Sequence, residues 1–79
     1  MAGIGAGDDL MAFTVRGHAA ALLASLAGAQ RTVSEDAHHR RALALHREGR
    51  SAQVVMVCRL AFRSMLLRAA GREWRPLLP

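Results

Sequence analysis

Apolar residues recur along most of this chain at spacings of three and four, which is the period of a helix that buries one face. In the first segment the apolar stripe runs through Met11, Val15, Leu22 and Leu26. No segment alternates with the two-residue period of a strand. The pattern therefore predicts an all-α chain with helices near residues 9–29, 32–48 and 51–73.

Capping residues and glycines set the predicted helix ends. Thr32 and Glu35 fit a capping box at the start of the second helix, although Ser34 is an equally good cap. The other predicted caps and ends are Asp8 or Asp9, Gly28, Gly49, Ser51 and Pro76. Two surface pairs are expected on the second helix: Glu35 with His39, and Asp36 with Arg40. The chain then divides into a flexible amino terminus (1–8), one helical domain (9–75) and a tail (76–79).

The third helical segment is apolar on two sides. One stripe includes Val54, Cys58 and Leu66, and a second patch contains Met56, Leu60, Leu67 and Trp74. A helix of this kind must lie centrally in a bundle or bury one face against a partner. We therefore expect a small three-helix bundle, or a helical hairpin with a long third helix, that forms a homo-oligomer or part of a complex. The expected partner interface is Leu60, Leu67 and Trp74.

The composition limits the size and chemistry of the protein. With 79 residues, 52% of them hydrophobic, the chain makes one small domain that has little room for a catalytic cleft. Its single cysteine, Cys58, excludes an internal disulfide framework and a cysteine-based zinc site. We expect this thiol to be buried and structural.

Charge is distributed unevenly along the sequence. Residues 1–39 carry two arginines against four acids, a net charge of −2, whereas residues 40–79 carry nine arginines against two acids, a net charge of +7. A basic half suits nucleic acid, an anionic membrane surface or an acidic protein. Because only three aromatic residues are available for base stacking, duplex DNA is favoured over a single strand.

The arginines of the third segment fall on two sides of the predicted helix. Arg59 and Arg63 are one turn apart on one side, and the roughly opposite side carries Arg50, Arg68, Arg72 and Arg75. One set is expected to face a polyanion. The other set would then face solvent or pair with acids of the first two helices.

Candidate catalytic and metal-binding groups are sparse. Glu35 and His39 share a helix face, and His38 and His46 lie nearby, but the spacing matches no metal motif. Neither a histidine nor an aspartate lies near Cys58 in the sequence. We therefore predict a protein that is not an enzyme and that holds no metal or cofactor.

Membrane and targeting signals are weak. The longest charge-free run, residues 17–30, is shorter than the roughly 20 apolar residues that a spanning helix needs. Its apolar core, followed by Ala27-Gly28-Ala29, is similar to a signal peptide, but only one arginine precedes it. We expect a cytoplasmic protein without a transmembrane segment. Cleavage of residues 1–29 as a signal is the alternative.

Residues 41–68 resemble helix-turn-helix DNA-binding domains of the transposase and resolvase type. The opening segment RALALHREGRSAQ has Glu48-Gly49 where a first helix ends and Ser51 where the second is capped. The later residues that resemble a recognition helix are Arg63, Ser64, Leu66 and Arg68. The resemblance implies that Arg63, Ser64 and Arg68 face a DNA groove and that Arg50 and Arg72 face phosphates.

The turn inside this motif has an alternative. Leu60 stands where the family has the glycine that separates its second and third helices. Because the residues from Ser51 to Arg72 are mostly good helix formers, this stretch can instead remain one long helix.

The expected function is that of a small basic helical DNA-binding or transcription-regulating protein. Its predicted nucleic-acid-binding residues are Arg50, Ser51, Arg59, Arg63, Ser64, Arg68 and Arg72. One alternative is a small helical adaptor or inhibitor that binds a larger acidic protein through the third helix. Another is binding of that arginine-flanked helix to a membrane surface.

Overall fold

A computed structural model describes the backbone of residues 3–71 and 75–79, and the side chains of residues 10, 11, 13–71 and 75–79. The chain folds into three packed helices, which confirms the predicted all-α bundle. They are α1 (Gly3–Ala27), α2 (Val33–Arg47) and α3 (Ser51–Ala69). The most extensive packing is between α2 and α3, and α1 packs mainly on α3.

The core lies where the three helices meet. All three contribute fully buried residues, among them Leu26 of α1, Ala42 of α2 and Val54 of α3. Cys58 is also fully buried, as predicted, and burial raises the pKa of its thiol. Small side chains at Ala42 and at Ala61 of α3 let the helices approach closely. On its α1 side the core holds two large buried side chains, Leu23 and Leu26.

Helix α1 is longer than predicted at its amino end. It begins at Gly3, so Asp8 and Asp9 lie within the helix and do not cap it. Near the amino end of α1 the described residues Leu10, Met11 and Phe13 are exposed. The prediction that Met11 lies on the buried stripe is therefore wrong.

The start of α2 follows the predicted capping box. The Thr32 hydroxyl accepts from the Glu35 backbone N–H at 3.3 Å, and the Glu35 carboxylate accepts from the Thr32 N–H at 3.0 Å. The Asp36–Arg40 pair is also present, at 3.2 Å. Arg31 joins α1 to this end of α2, since it donates to the Leu26 carbonyl at 2.6 Å and to Asp36 at 3.1 Å.

The ends of α3 differ from the prediction. Gly49, with φ of 75°, ends α2 as expected, but Ser51 is the first residue of α3 and Arg50 occupies the cap position without a side-chain hydrogen bond. Helix α3 ends at Ala69 and not near residue 73, because Gly71 adopts φ of 74°. The tail returns to the α1–α2 connection, where the Leu78 N–H donates to the Arg31 carbonyl at 2.7 Å.

Helix α3 is continuous from Ser51 to Ala69. The turn that a helix-turn-helix motif would place at Leu60 is absent from this helix, and the long-helix alternative holds because no glycine interrupts the run. Among the described residues no helix combines the length and the apolar character needed to cross a bilayer.

Candidate binding surface on the third helix

A buried carboxylate on α2 accepts hydrogen bonds from two residues of α3. Glu35 is fully buried, so its predicted surface pair with His39 is wrong. Its Oε1 accepts from Arg68 Nη2 at 2.7 Å, and its Oε2 accepts from Ser64 Oγ at 2.7 Å and from Arg68 Nε at 3.4 Å. Oε1 also accepts from the Thr32 N–H, so both carboxylate oxygens accept hydrogen bonds from more than one donor. Glu35 therefore links the capping box at the start of α2 to Arg68 of α3, which lies 33 residues later in the sequence.

The network keeps Glu35 ionised despite its burial. Desolvation alone would raise the pKa of this carboxyl, but hydrogen bonds from Arg68, Ser64 and Thr32 and the Arg68 charge outweigh it. The pKa of Glu35 consequently lies below its ordinary value of 4.5.

Two of the predicted nucleic-acid-binding residues thus point into the protein. Ser64 and Arg68 both donate to Glu35, and the Arg68 side chain is only 22% exposed. For Arg68 alone, this pair agrees with the expectation that its set of arginines faces solvent or pairs with acids of the first two helices. It differs from the groove-facing placement that the helix-turn-helix resemblance implies, because one continuous α3 turns these positions toward α2.

The opposite side of α3 is left open to solvent. Met56, Leu60 and Leu66 are 66%, 50% and 71% exposed, and Arg59 and Arg63 lie exposed among them. We call these five residues the outer face. Leu66 was predicted to belong to the buried stripe, but it lies on the side of α3 that points away from the buried Val57 and Ala61. The outer face combines apolar and cationic side chains on one rigid helix.

The remaining predicted site residues lie elsewhere. Arg50 is exposed at the start of α3 and is 3.8 Å from the Glu48 carboxylate. Ser51 is half-buried beside it, and Leu67 is half-buried next to the outer face. Arg72 and Trp74 lie outside the described residues. The structure therefore brings Arg59, Arg63 and Leu60 together, but not the seven proposed nucleic-acid contacts as one surface.

The histidines form no metal site with the acids in the part of the chain that is described. His39 is buried, and its Nε2 has no hydrogen-bond partner among the described residues. Desolvation and the nearby charge of Arg31 lower the pKa of His39, although Asp36 opposes the shift. The fold thus favours a neutral imidazole at this position.

An open groove of about 910 Å³ lies between α1 and the start of α3. Its described lining includes Met11, Phe13, Arg16 and Arg50, and none of the described lining residues is a carboxylate, an imidazole or a thiol. The Ser51 hydroxyl is in this lining, but a serine nucleophile needs a neighbouring base to activate it. We therefore assign no chemical step to this groove.

Stability is expected to fall as the pH is lowered. His39 and Glu35 both have lowered pKa values in the fold, so the unfolded chain binds more protons once the pH falls below 6.5 for His39 and below 4.5 for Glu35. Urea denaturation at pH 7.5, 5.5 and 4 should show two successive losses of unfolding free energy. In His39→Gln the first loss should shrink. A flat profile between pH 7.5 and 5.5 in the unaltered protein would contradict the assignment to His39.

In comparisons with known proteins, no protein-family model, curated protein or solved structure matches this chain.

Proposed function

We propose that the protein is a small helical adaptor that binds a larger acidic protein through the outer face of α3. The observation that carries this proposal is the exposure of Met56, Leu60 and Leu66 around Arg59 and Arg63. Methionine and arginine are enriched in protein–protein interfaces. Three large apolar side chains on one helix face also gain more from a partner than from water.

The charge of α3 indicates an acidic partner. The helix contains no aspartate or glutamate between Ser51 and Ala69, so Arg59 and Arg63 have no acid on their own helix. The one carboxylate that reaches α3 in a described ion pair is Glu35, which is bound to Arg68 on the other side. A partner with carboxylates opposite Arg59 and Arg63 would complement this face.

Duplex DNA is the second candidate. It is favoured by the net charge of +5 and by exposed arginines on two helices, Arg41 and Arg47 of α2 together with Arg59 and Arg63 of α3. It ranks second because Met56 and Leu66 would lie against charged phosphates. In addition, Ser64 and Arg68 already donate to Glu35.

Site-specific photocrosslinking in the source cells tests the proposed function. A photoreactive side chain at Leu66 should give a discrete protein adduct that is lost on Arg63→Glu, because the partner binds through its acids. The control position is Ala44, which is exposed on α2 and should not give that adduct. No adduct from position 66, or the same adducts from both positions, would contradict the proposal. Steeply salt-dependent binding of random duplex DNA that is lost on Arg63→Glu, with no protein adduct, would favour the DNA candidate.

A further inference from the structure

We infer that the partner presents to α3 an amphipathic helix with carboxylates at its centre and apolar residues one turn to either side. This inference rests on the proposed function, since it specifies the occupant of the same outer face. The inference comes from the order of apolar and cationic side chains along α3. The net charge of the protein alone would not specify this order.

The exposed residues of α3 follow the spacing of a helix-pairing seam. Met56, Arg59, Arg63 and Leu66 are separated by three, four and three residues, so they form one straight stripe. With about 1.5 Å of rise per residue, the stripe is about 15 Å long, or nearly three helical turns. An apolar residue lies at each end and two cations lie between them. A second helix packed along this stripe would meet apolar, cationic, cationic and apolar layers in that order.

A second copy of the chain does not fit this order. Antiparallel pairing of two such stripes places Arg59 opposite Arg63, and parallel pairing places each arginine opposite itself. Like charges at the centre of a packed seam oppose association. The acids with described side chains do not relieve this, because Glu35 is buried, Asp36 is paired with Arg31 and Arg40, and Glu48 is paired with Arg50. The order of charges along this stripe therefore disfavours pairing with a second copy of the chain and favours pairing with a helix of different sequence.

The complementary helix is defined by its chemistry. Opposite Arg59 and Arg63 it needs aspartate or glutamate, which can accept two hydrogen bonds from each guanidinium plane. Opposite Met56 and Leu66 it needs apolar side chains, and Leu60 beside the stripe adds apolar area on one flank. A helix with acids only at its ends would place them against Met56 and Leu66 and would leave the arginines facing apolar groups.

Three synthetic helical peptides of equal length test this order with the full-length protein. One carries Glu at the two central seam positions and Leu at the flanking ones, the second exchanges these Glu and Leu positions, and the third carries Lys at the centre. Fluorescence anisotropy should show that the Glu-centred peptide binds at least about tenfold more tightly than either of the others. Similar affinity for the first two peptides would overturn the inference.

Charge reversal provides the matched control. The double variant Arg59→Glu/Arg63→Glu should lose affinity for the Glu-centred peptide and gain affinity for the Lys-centred one. Arg41→Glu/Arg47→Glu makes the same change in net charge on exposed positions of α2 and should retain the original preference. Circular dichroism of both variants should show unchanged helicity, since all four side chains are exposed. Equal loss of binding in both double variants would indicate attraction by net charge and overturn the inference.

Other occupants give distinct results. A first alternative result is that only random duplex DNA or vesicles of anionic lipid bind, and that the Arg59→Glu/Arg63→Glu variant no longer binds them. The outer face would then bind that polyanion, and the inference of a partner helix would fail. A protein adduct from position 66 without any preference among the peptides would leave the adaptor function standing and refute only the helical, acid-centred partner.

Discussion

Replacement of Glu35 by alanine is expected to destabilise the fold by about 3 kcal/mol, because it removes one partner of a buried ion pair and part of a helix cap. The carboxylate of Glu35 accepts from Arg68, Ser64 and the Thr32 N–H. Without it, the Arg68 guanidinium, which is 22% exposed, loses its acid. In a domain of 79 residues such a loss is a large fraction of the total stability.

Urea denaturation at pH 7 measures this effect, and Glu48→Ala is the matched control. Glu48 also pairs with an arginine, but both side chains of that pair are more than half exposed. Its removal should change the unfolding free energy by less than about 1 kcal/mol. Equal losses in the two variants would mean that the Glu35 network does not stabilise the bundle.

Replacement of Leu26 by alanine is expected to cost about 2–5 kcal/mol, the range for a fully buried leucine. Leu26 is the largest fully buried side chain and anchors α1 to the core. Because its neighbours include small residues such as Ala42 and Ala61, they can fill little of the resulting cavity. Leu10 lies on the same helix but is 66% exposed, so Leu10→Ala should change stability by about 0.5 kcal/mol or less.

Thermal and urea unfolding of the two leucine variants would show which part of α1 belongs to the domain. A large loss for Leu26→Ala with no loss for Leu10→Ala places the packed region in the second half of α1. Comparable losses for both would show that Leu10 is packed in solution, contrary to its exposure in the structure. If Leu26→Ala does not fold, Leu26→Val should show a smaller loss in the same direction.

The sequence predicts the features of this fold that depend on residues close together in the chain. The capping box of Thr32 and Glu35 and the turn at Gly49 follow from short-range hydrogen bonds and backbone preference, and both are confirmed. Helical periodicity likewise predicts three helices. The exposure of Met11 could not be foreseen in the same way, because it depends on how α1 packs against the other helices.

The candidate surface was harder to predict because it depends on a contact between distant residues. Glu35 has His39 one turn away, and that local spacing suggests a surface pair, whereas its actual partner Arg68 is on another helix. This contact and the buried Val57 and Ala61 lie on one side of α3, so Ser64 lies inside and Leu66 outside. Periodicity alone placed Leu66 in the core.

The same contact changes how binding experiments are interpreted. Arg68→Ala would remove the cation that holds Glu35 ionised, so a loss of DNA or protein binding in that variant would reflect the fold. Arg59 and Arg63 are exposed and test the surface directly.

Amide chemical-shift mapping by NMR tests the central claim, that the outer face of α3 is the binding surface, most directly. On titration with the Glu-centred peptide, we predict shifts concentrated at Met56, Arg59, Arg63 and Leu66. The amides of Ala44 and Arg47 on the exposed side of α2 should stay unchanged. Shifts confined to α2, or to the groove between α1 and the start of α3, would contradict the claim.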